Sequence, residues 1–189
     1  MLSAAEIRQK FNGHEPGDLL VDLVALHHEL ESGQSGVSLG DARLYLDWTS
    51  PDTSPDDMRY HNTPDHFLPF ASTHGDGKHF CFVIDDRDVD LDQRTVAYIA
   101  PADDADFSDS VAPNLQTFLG LVATLTAEEV TFDREFDGEP ELEDEFFMNG
   151  RGVTEALRGL PGVAVVDDPA EIDRIIASSP KDGIDPDGY

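Results

Sequence analysis

The 189-residue chain has one cysteine, Cys81, and only three lysines, Lys10, Lys78 and Lys181. A single cysteine excludes a disulfide framework and a cysteine-based zinc site. No stretch approaches the ~18 consecutive apolar residues of a membrane span. The opening MLSAAEIRQK lacks the apolar run of a secretory signal, so the expectation is a soluble cytoplasmic protein. Basic residues of any kind are scarce, 12 against 40 acidic ones, for a formal net charge of -28. That charge repels phosphates, which excludes direct binding to nucleic acid, and it disfavours anionic membrane surfaces. There is no phosphate-cradling glycine loop, no Gly-x-Ser-x-Gly elbow and no kinase signature.

Aspartate dominates what is present, with 27 of the 40 acidic residues. An Asp-rich, Lys-poor surface suits a halophile cytoplasm, where salt screens self-repulsion. A surface shaped for a basic protein partner would be acidic too. Composition leaves both readings open.

Apolar periodicity defines the elements. Ser3 and Glu6 match a capping box, predicting a short helix from about Ala4 to Phe11. Leu19, Leu23, Leu26 and Leu30 recur at helical spacing and predict a helix over Asp18–Glu31. Leu115, Phe118, Leu119, Val122 and Leu125 predict a second over Pro113–Leu125. Ala42, Leu44, Leu46 and Trp48 alternate with polar residues and read as a strand. Residues 49–65, rich in Pro, Asp and Ser, read as a loop. Strands are expected at His66–Ser72, His79–Asp85 and Thr95–Ala100, the first two joined by a hairpin turn. Asp85–Asp92 and Pro101–Ser110 read as acidic loops. Further on, Val130–Phe136 reads as a strand, Glu141–Asn149 as a short helix and Gly162–Val166 as a buried strand. Asp168, Pro169 and Glu171 suit a helix start. The expected fold class is α+β, a mainly antiparallel sheet with helices packed on it. The chain divides into a domain over 1–125, an α/β extension packed on it over 126–178, and a disordered tail over 179–189.

The segment Phe67-Leu-Pro-Phe-Ala-Ser-Thr-His-Gly-Asp-Gly-Lys-His-Phe-Cys-Phe-Val-Ile84 resembles the central hairpin of the SUKH superfamily, the cell-wall-assembly regulators and bacterial toxin-immunity proteins. Thr95-Val-Ala-Tyr-Ile-Ala100 is similar to the strand that follows there, and Asn114–Val122 to the helix after it. The order is similar over about Pro16 to Leu125. The turn departs from the family pattern, with His79 where an Asp often stands. The resemblance implies an α+β module without catalytic residues or cofactors that binds a basic protein partner, such as a nuclease toxin.

Other chemistry is poorly placed. His61, His66, His74 and His79 crowd into nineteen residues, so a metal-dependent enzyme using His66, His74 and His79 is the rival reading, although their spacing fits no tight metal motif. Asp86, Asp88 and Asp90 begin like a calcium-binding loop, but Leu91 and Ala97 stand where Gly and Glu are required. Cys81, between Phe80 and Phe82, reads as a small core residue, and Trp48 as core. His27 reads as a core-edge histidine. If the 74–77 turn lies at the same end of the sheet as Pro101–Ser110, Asp76, Asp103, Asp104 and Asp106 form one negative patch for steering a basic protein.

Overall fold

The computed structural model describes residues 1–33, 36–60, 63–73, 77–100, 107–127, 150–163, 166 and 169–180. Five α-helices and a four-stranded antiparallel sheet make an α+β fold among them. Helix α1 is Ala4–Lys10 and α2 is Asp18–Ser32. The strands are β1 Phe67–Ser72, β2 His79–Val83, β3 Val96–Ala100 and β4 Phe107–Ala112, paired in sequence order. Helix α3 is Leu115–Ala127, α4 Gly150–Arg158 and α5 Pro169–Ser178.

Local chemistry accounts for the helix starts. The Ser3 backbone N–H and hydroxyl donate to the Glu6 carboxylate, and the Glu6 N–H donates back to Ser3 Oγ, which fills orphan bonds of the first turn of α1. Helix α2 begins at Gly17, which has no side chain to cap it. Asp92, far along the chain, supplies the acceptor: its carboxylate takes the N–H groups of Leu19, 73 residues before it, at 2.8 Å and of Leu20 at 3.0 Å. A Cβ on Gly17 would overlap that carboxylate, so glycine here makes room for a partner distant in sequence.

Both faces of the sheet are buried. Leu68, Phe70, Phe80, Phe82, Val96 and Tyr98 join the main core, which α1, α2 and α3 share through Ile7, Leu20 and Phe118. Phe70 stacks on Phe82 with ring centroids 4.2 Å apart and meets Phe118 edge-on at 5.6 Å. On the opposite face Phe67, Cys81, Val83, Ala97 and Ile99 form a second apolar cluster. Alternation along these strands therefore separates two apolar sets rather than core from solvent. Val153 and Leu157 of α4, with Val166 and Ile172, lie in the main core. The Thr154 hydroxyl donates to Ala123 O and the Thr124 hydroxyl to Val166 O, joining α4 and Val166 to α3.

Strand β1 lies at the edge, where Pro69 costs no ladder bond. A bulge between Pro69 and Ala71 leaves Phe70 as the extra residue. The outward carbonyls of β1 are closed by donors from the preceding segment. The Trp48 indole N–H reaches Phe70 O at 2.6 Å, Arg59 Nη2 reaches Phe67 O at 2.7 Å, and Tyr45 N reaches Ser72 O at 3.0 Å.

Three expectations need correcting. Residues 42–48 are not a strand: a 3-10 turn over Leu39–Ala42 ends at Arg43 with φ of 50°, Tyr45 makes one bridge to Ser72, and a second 3-10 turn spans Asp47–Thr49. Leu44, Leu46 and Trp48 are nonetheless all buried, so the alternation reported burial without a ladder. The segment read as the acidic loop Pro101–Ser110 runs into β4 from Phe107. Val163 and Val166 belong to no strand; Val166 sits beneath α3 through its carbonyl. The readings for 130–136 and 141–149 lie outside the described residues, as do Asp168 and the 181–189 stretch.

Candidate functional site

The loop before β1 and the hairpin end of β1–β2 enclose a cleft of about 360 Å³. Its walls include Asp47, Asp57, Met58, Tyr60, Lys78 and His79. The loop is shaped by residue chemistry. Asp57 accepts the Ser54 N–H at 2.6 Å around the 3-10 turn Pro55–Met58, and Asp47 accepts the Ser72 hydroxyl at 2.8 Å. Arg59 turns inward, with Nη1 donating to Pro64 O at 2.9 Å and Nη2 to Phe67 O. Lys10 Nζ donates to Ser50 O at 2.9 Å and Thr53 O at 2.5 Å. Both cations thus spend donors on backbone carbonyls. Asp47, Asp52, Asp56, Asp57 and Asp65 stay exposed, and of these Asp56 lies 3.5 Å from Arg59.

His79 forms the buried floor at 1% exposure. Its Nδ1 lies 2.8 Å from Gly77 O and its Nε2 3.3 Å from Thr63 Oγ1. A carbonyl can only accept, so the proton is on Nδ1 and Nε2 accepts from the threonine hydroxyl. That oxygen in turn accepts the Tyr60 N–H at 3.1 Å. Burial pushes the His79 pKa down; the Gly77 bond opposes this and Arg59 reinforces it. The neutral ring therefore has both nitrogens satisfied. Tyr60 stacks on it, centroids 5.9 Å apart and planes 14° from parallel, yet keeps 45% of its own surface exposed. Gly77 allows this approach: its φ is +84°, and a Cβ would lie 2.6 Å from the tyrosine oxygen.

At the other end of the sheet, a second cleft of about 620 Å³ is lined by Arg8, His14, Glu15, Asp88, Asp90 and Arg94 among others. Its charges are interlocked. Arg8 pairs with Glu15 at 2.9 Å. Arg94, buried, pairs with Asp85 and donates to the carbonyls of Asp85, Arg87 and Val89. Asp92 lies next to this loop. Burial raises its pKa to about 6, opposed by the two α2 N–H groups and reinforced by Asp90 and Asp18.

The expected site residues separate. His66 and His79 lie at opposite ends of the β1–β2 pair, because Ser72 faces His79 and Phe67 faces Val83. That is a separation of roughly 17–20 Å at ~3.3 Å per residue, too far to share a metal. His74 and His61 lie outside the described residues. Among the described residues no three His, Cys, Asp or Glu side chains gather as metal ligands. Cys81 is buried and its thiol is pushed well up by burial. His27 is half-buried, with burial lowering its pKa, and among the described residues its Nδ1 has no hydrogen-bond partner. Asp76, Asp103, Asp104 and Asp106 all lie outside the described residues. The strand ends that flank them, Ser72, His79 and Ala100, share one end of the sheet, since His79 pairs with both Ser72 and Ile99. The Tyr60 cleft opens beside the same end. Sequence reasoning passed over Tyr60, Thr63 and Asp92. The signals available were a capping box at Ser54–Asp57 and one arginine in an otherwise acidic loop.

Among the described residues no helix is long and apolar enough to cross a membrane. Compared with known families, curated proteins and solved structures, the chain matches no family, no curated protein and no solved structure.

Proposed function

We propose that this chain is a non-enzymatic, cytoplasmic protein-binding module, similar to SUKH immunity or regulatory proteins, that captures a basic protein such as a nuclease toxin. One observation supports this most: in the loop over residues 47–65 the exposed carboxylates gather while the nearby cations Lys10 and Arg59 are engaged with backbone carbonyls. A loop built in this way keeps its negative field directed outward. Asp76, Asp103, Asp104 and Asp106, expected from the sequence to steer a basic protein, belong to the same proposal.

The test is co-expression with each protein encoded beside this one, followed by size-exclusion chromatography at physiological salt. Co-elution with a basic protein supports the reading. The double charge reversal Asp103→Lys and Asp104→Lys should then slow association and flatten its salt dependence. Absence of any basic co-eluting neighbour would favour the halophilic reading, in which the acidity serves solvation alone.

A further inference from the structure

We infer that the Tyr60 cleft is a receptor for a single arginine side chain of the partner. The inference rests on the basic-partner reading and adds a place and a chemistry to it.

Three features of the cleft converge on a guanidinium. First, Asp47 and Asp57 stand on its walls, each held by a hydrogen bond from its own neighbourhood, Ser72 Oγ at 2.8 Å and Ser54 N at 2.6 Å. A carboxylate fixed in this way keeps lone pairs for a forked donor, and arginine presents five N–H donors in a rigid plane. Second, Tyr60 offers an aromatic surface. Among the described residues the large apolar side chains left exposed are Met1, Tyr60 and Val89, and Tyr60 alone of these lines this cleft. Its ring is kept in place by His79 stacked against it and by the missing side chain of Gly77. A planar cation stacks on such a ring better than an ammonium does. Third, the size fits: about 360 Å³ suits one long side chain with a few waters and lies near the lower limit of small-ligand sites. Lys78 on the same wall leaves the pair of carboxylates in excess by one charge, since His79 is neutral. The cleft therefore attracts a cation while Lys78 disfavours a lysine-rich stretch that would crowd it.

The test is a ¹H–¹⁵N NMR titration of the full chain with the blocked tripeptide acetyl-Gly-Arg-Gly-amide. Three matched peptides carry lysine, citrulline or glutamate at the centre. Saturable shifts should be confined to amides near Asp47, Ser54–Tyr60 and Gly77–His79. Citrulline has the same shape without the charge and should bind at least about tenfold more weakly, as expected when a charge-assisted pair is lost. Asp57→Asn keeps the acceptor for Ser54 and should weaken the arginine peptide about tenfold. Equal shifts with citrulline would overturn the assignment. So would tighter binding of the glutamate peptide, which would make Lys78 the recognition group, or shifts scattered over all acidic surfaces. A basic protein that co-elutes equally well with wild type and with the Asp47→Asn/Asp57→Asn variant would remove the cleft from the interface and leave the basic-partner reading intact. Specific arginine binding in a chain that no basic protein accompanies would do the reverse.

Discussion

Gly17 and Asp92 make a coupled pair whose energetics can be worked out. Gly17 has φ of -78°, a backbone any residue tolerates, so Gly17→Ala carries no conformational strain. Its obstacle is the Asp92 side chain, whose Cβ would lie 2.7 Å from the new methyl and whose carboxylate would overlap it. The carboxylate must leave, and the N–H groups of Leu19 and Leu20 lose their acceptor in a buried place. Asp92→Ala removes the same two bonds directly and should cost about 2 kcal/mol. Gly17→Ala should cost about 2–3 kcal/mol, the same bonds plus a small N-cap penalty. The double variant loses those bonds once, so its cost should be about 2–3 kcal/mol rather than the additive ~4–5, a coupling of about 2 kcal/mol. Urea unfolding of the four proteins followed by circular dichroism reads this cycle. At this chain length each kcal/mol corresponds to about 2–4 °C in Tm, so thermal melts provide a second measure. Additive single costs would show that Asp92 does not cap α2.

Asp92 also predicts a pH effect. Its folded pKa of about 6 lies above the ordinary carboxylate value, so the folded state holds its proton longer than the unfolded one does. This contribution to stability falls as pH rises from about 4 to about 6 and is flat beyond. Between pH 5 and 7.5 wild type should therefore lose about 1–1.5 kcal/mol relative to Asp92→Asn, measured by parallel denaturant titrations; a constant difference would refute it. Gly77→Ala should destabilise by about 1–2 kcal/mol, from its positive φ and its encroachment on Tyr60, with a loss of near-ultraviolet tyrosine signal; an unchanged melt would mean that the turn tolerates the methyl. With a net charge of -28, Tm should rise with salt toward the molar range. A flat profile in a differential scanning fluorimetry series would mean that the charges are already neutralised.

What could be read in advance was whatever a short window contains. The Ser3–Glu6 box, the leucine period of α2 and the apolar runs of β1, β2 and β3 each report on neighbours within a few residues, and the structure has these elements within about two residues of the expected ends. Residues 42–48 show the limit of that kind of reading. A period of two states which side chains are buried, and two 3-10 turns joined by a short extended piece satisfy it as well as a strand does. The cleft was hidden for a different reason. Its walls come from residues within 47–60, from Ser72 and from Gly77–His79, and the β1–β2 pairing, together with the Tyr45–Ser72 bridge, brings them together. Asp92 reads locally as part of an acidic turn. Its task is set by Gly17, which in sequence looks like any glycine after a proline.

The closure of β1 restricts how another chain can engage this protein. An open edge would present its carbonyls and N–H groups to any extended peptide, inviting β-augmentation or sheet-to-sheet aggregation. Here an indole, a guanidinium and a backbone amide already occupy the outward carbonyls of Phe70, Phe67 and Ser72, and Pro69 has no N–H to offer. Recognition along this flank must therefore proceed through side chains. A chain approaching along β1 meets an edge whose acceptors this protein's own side chains and backbone already hold.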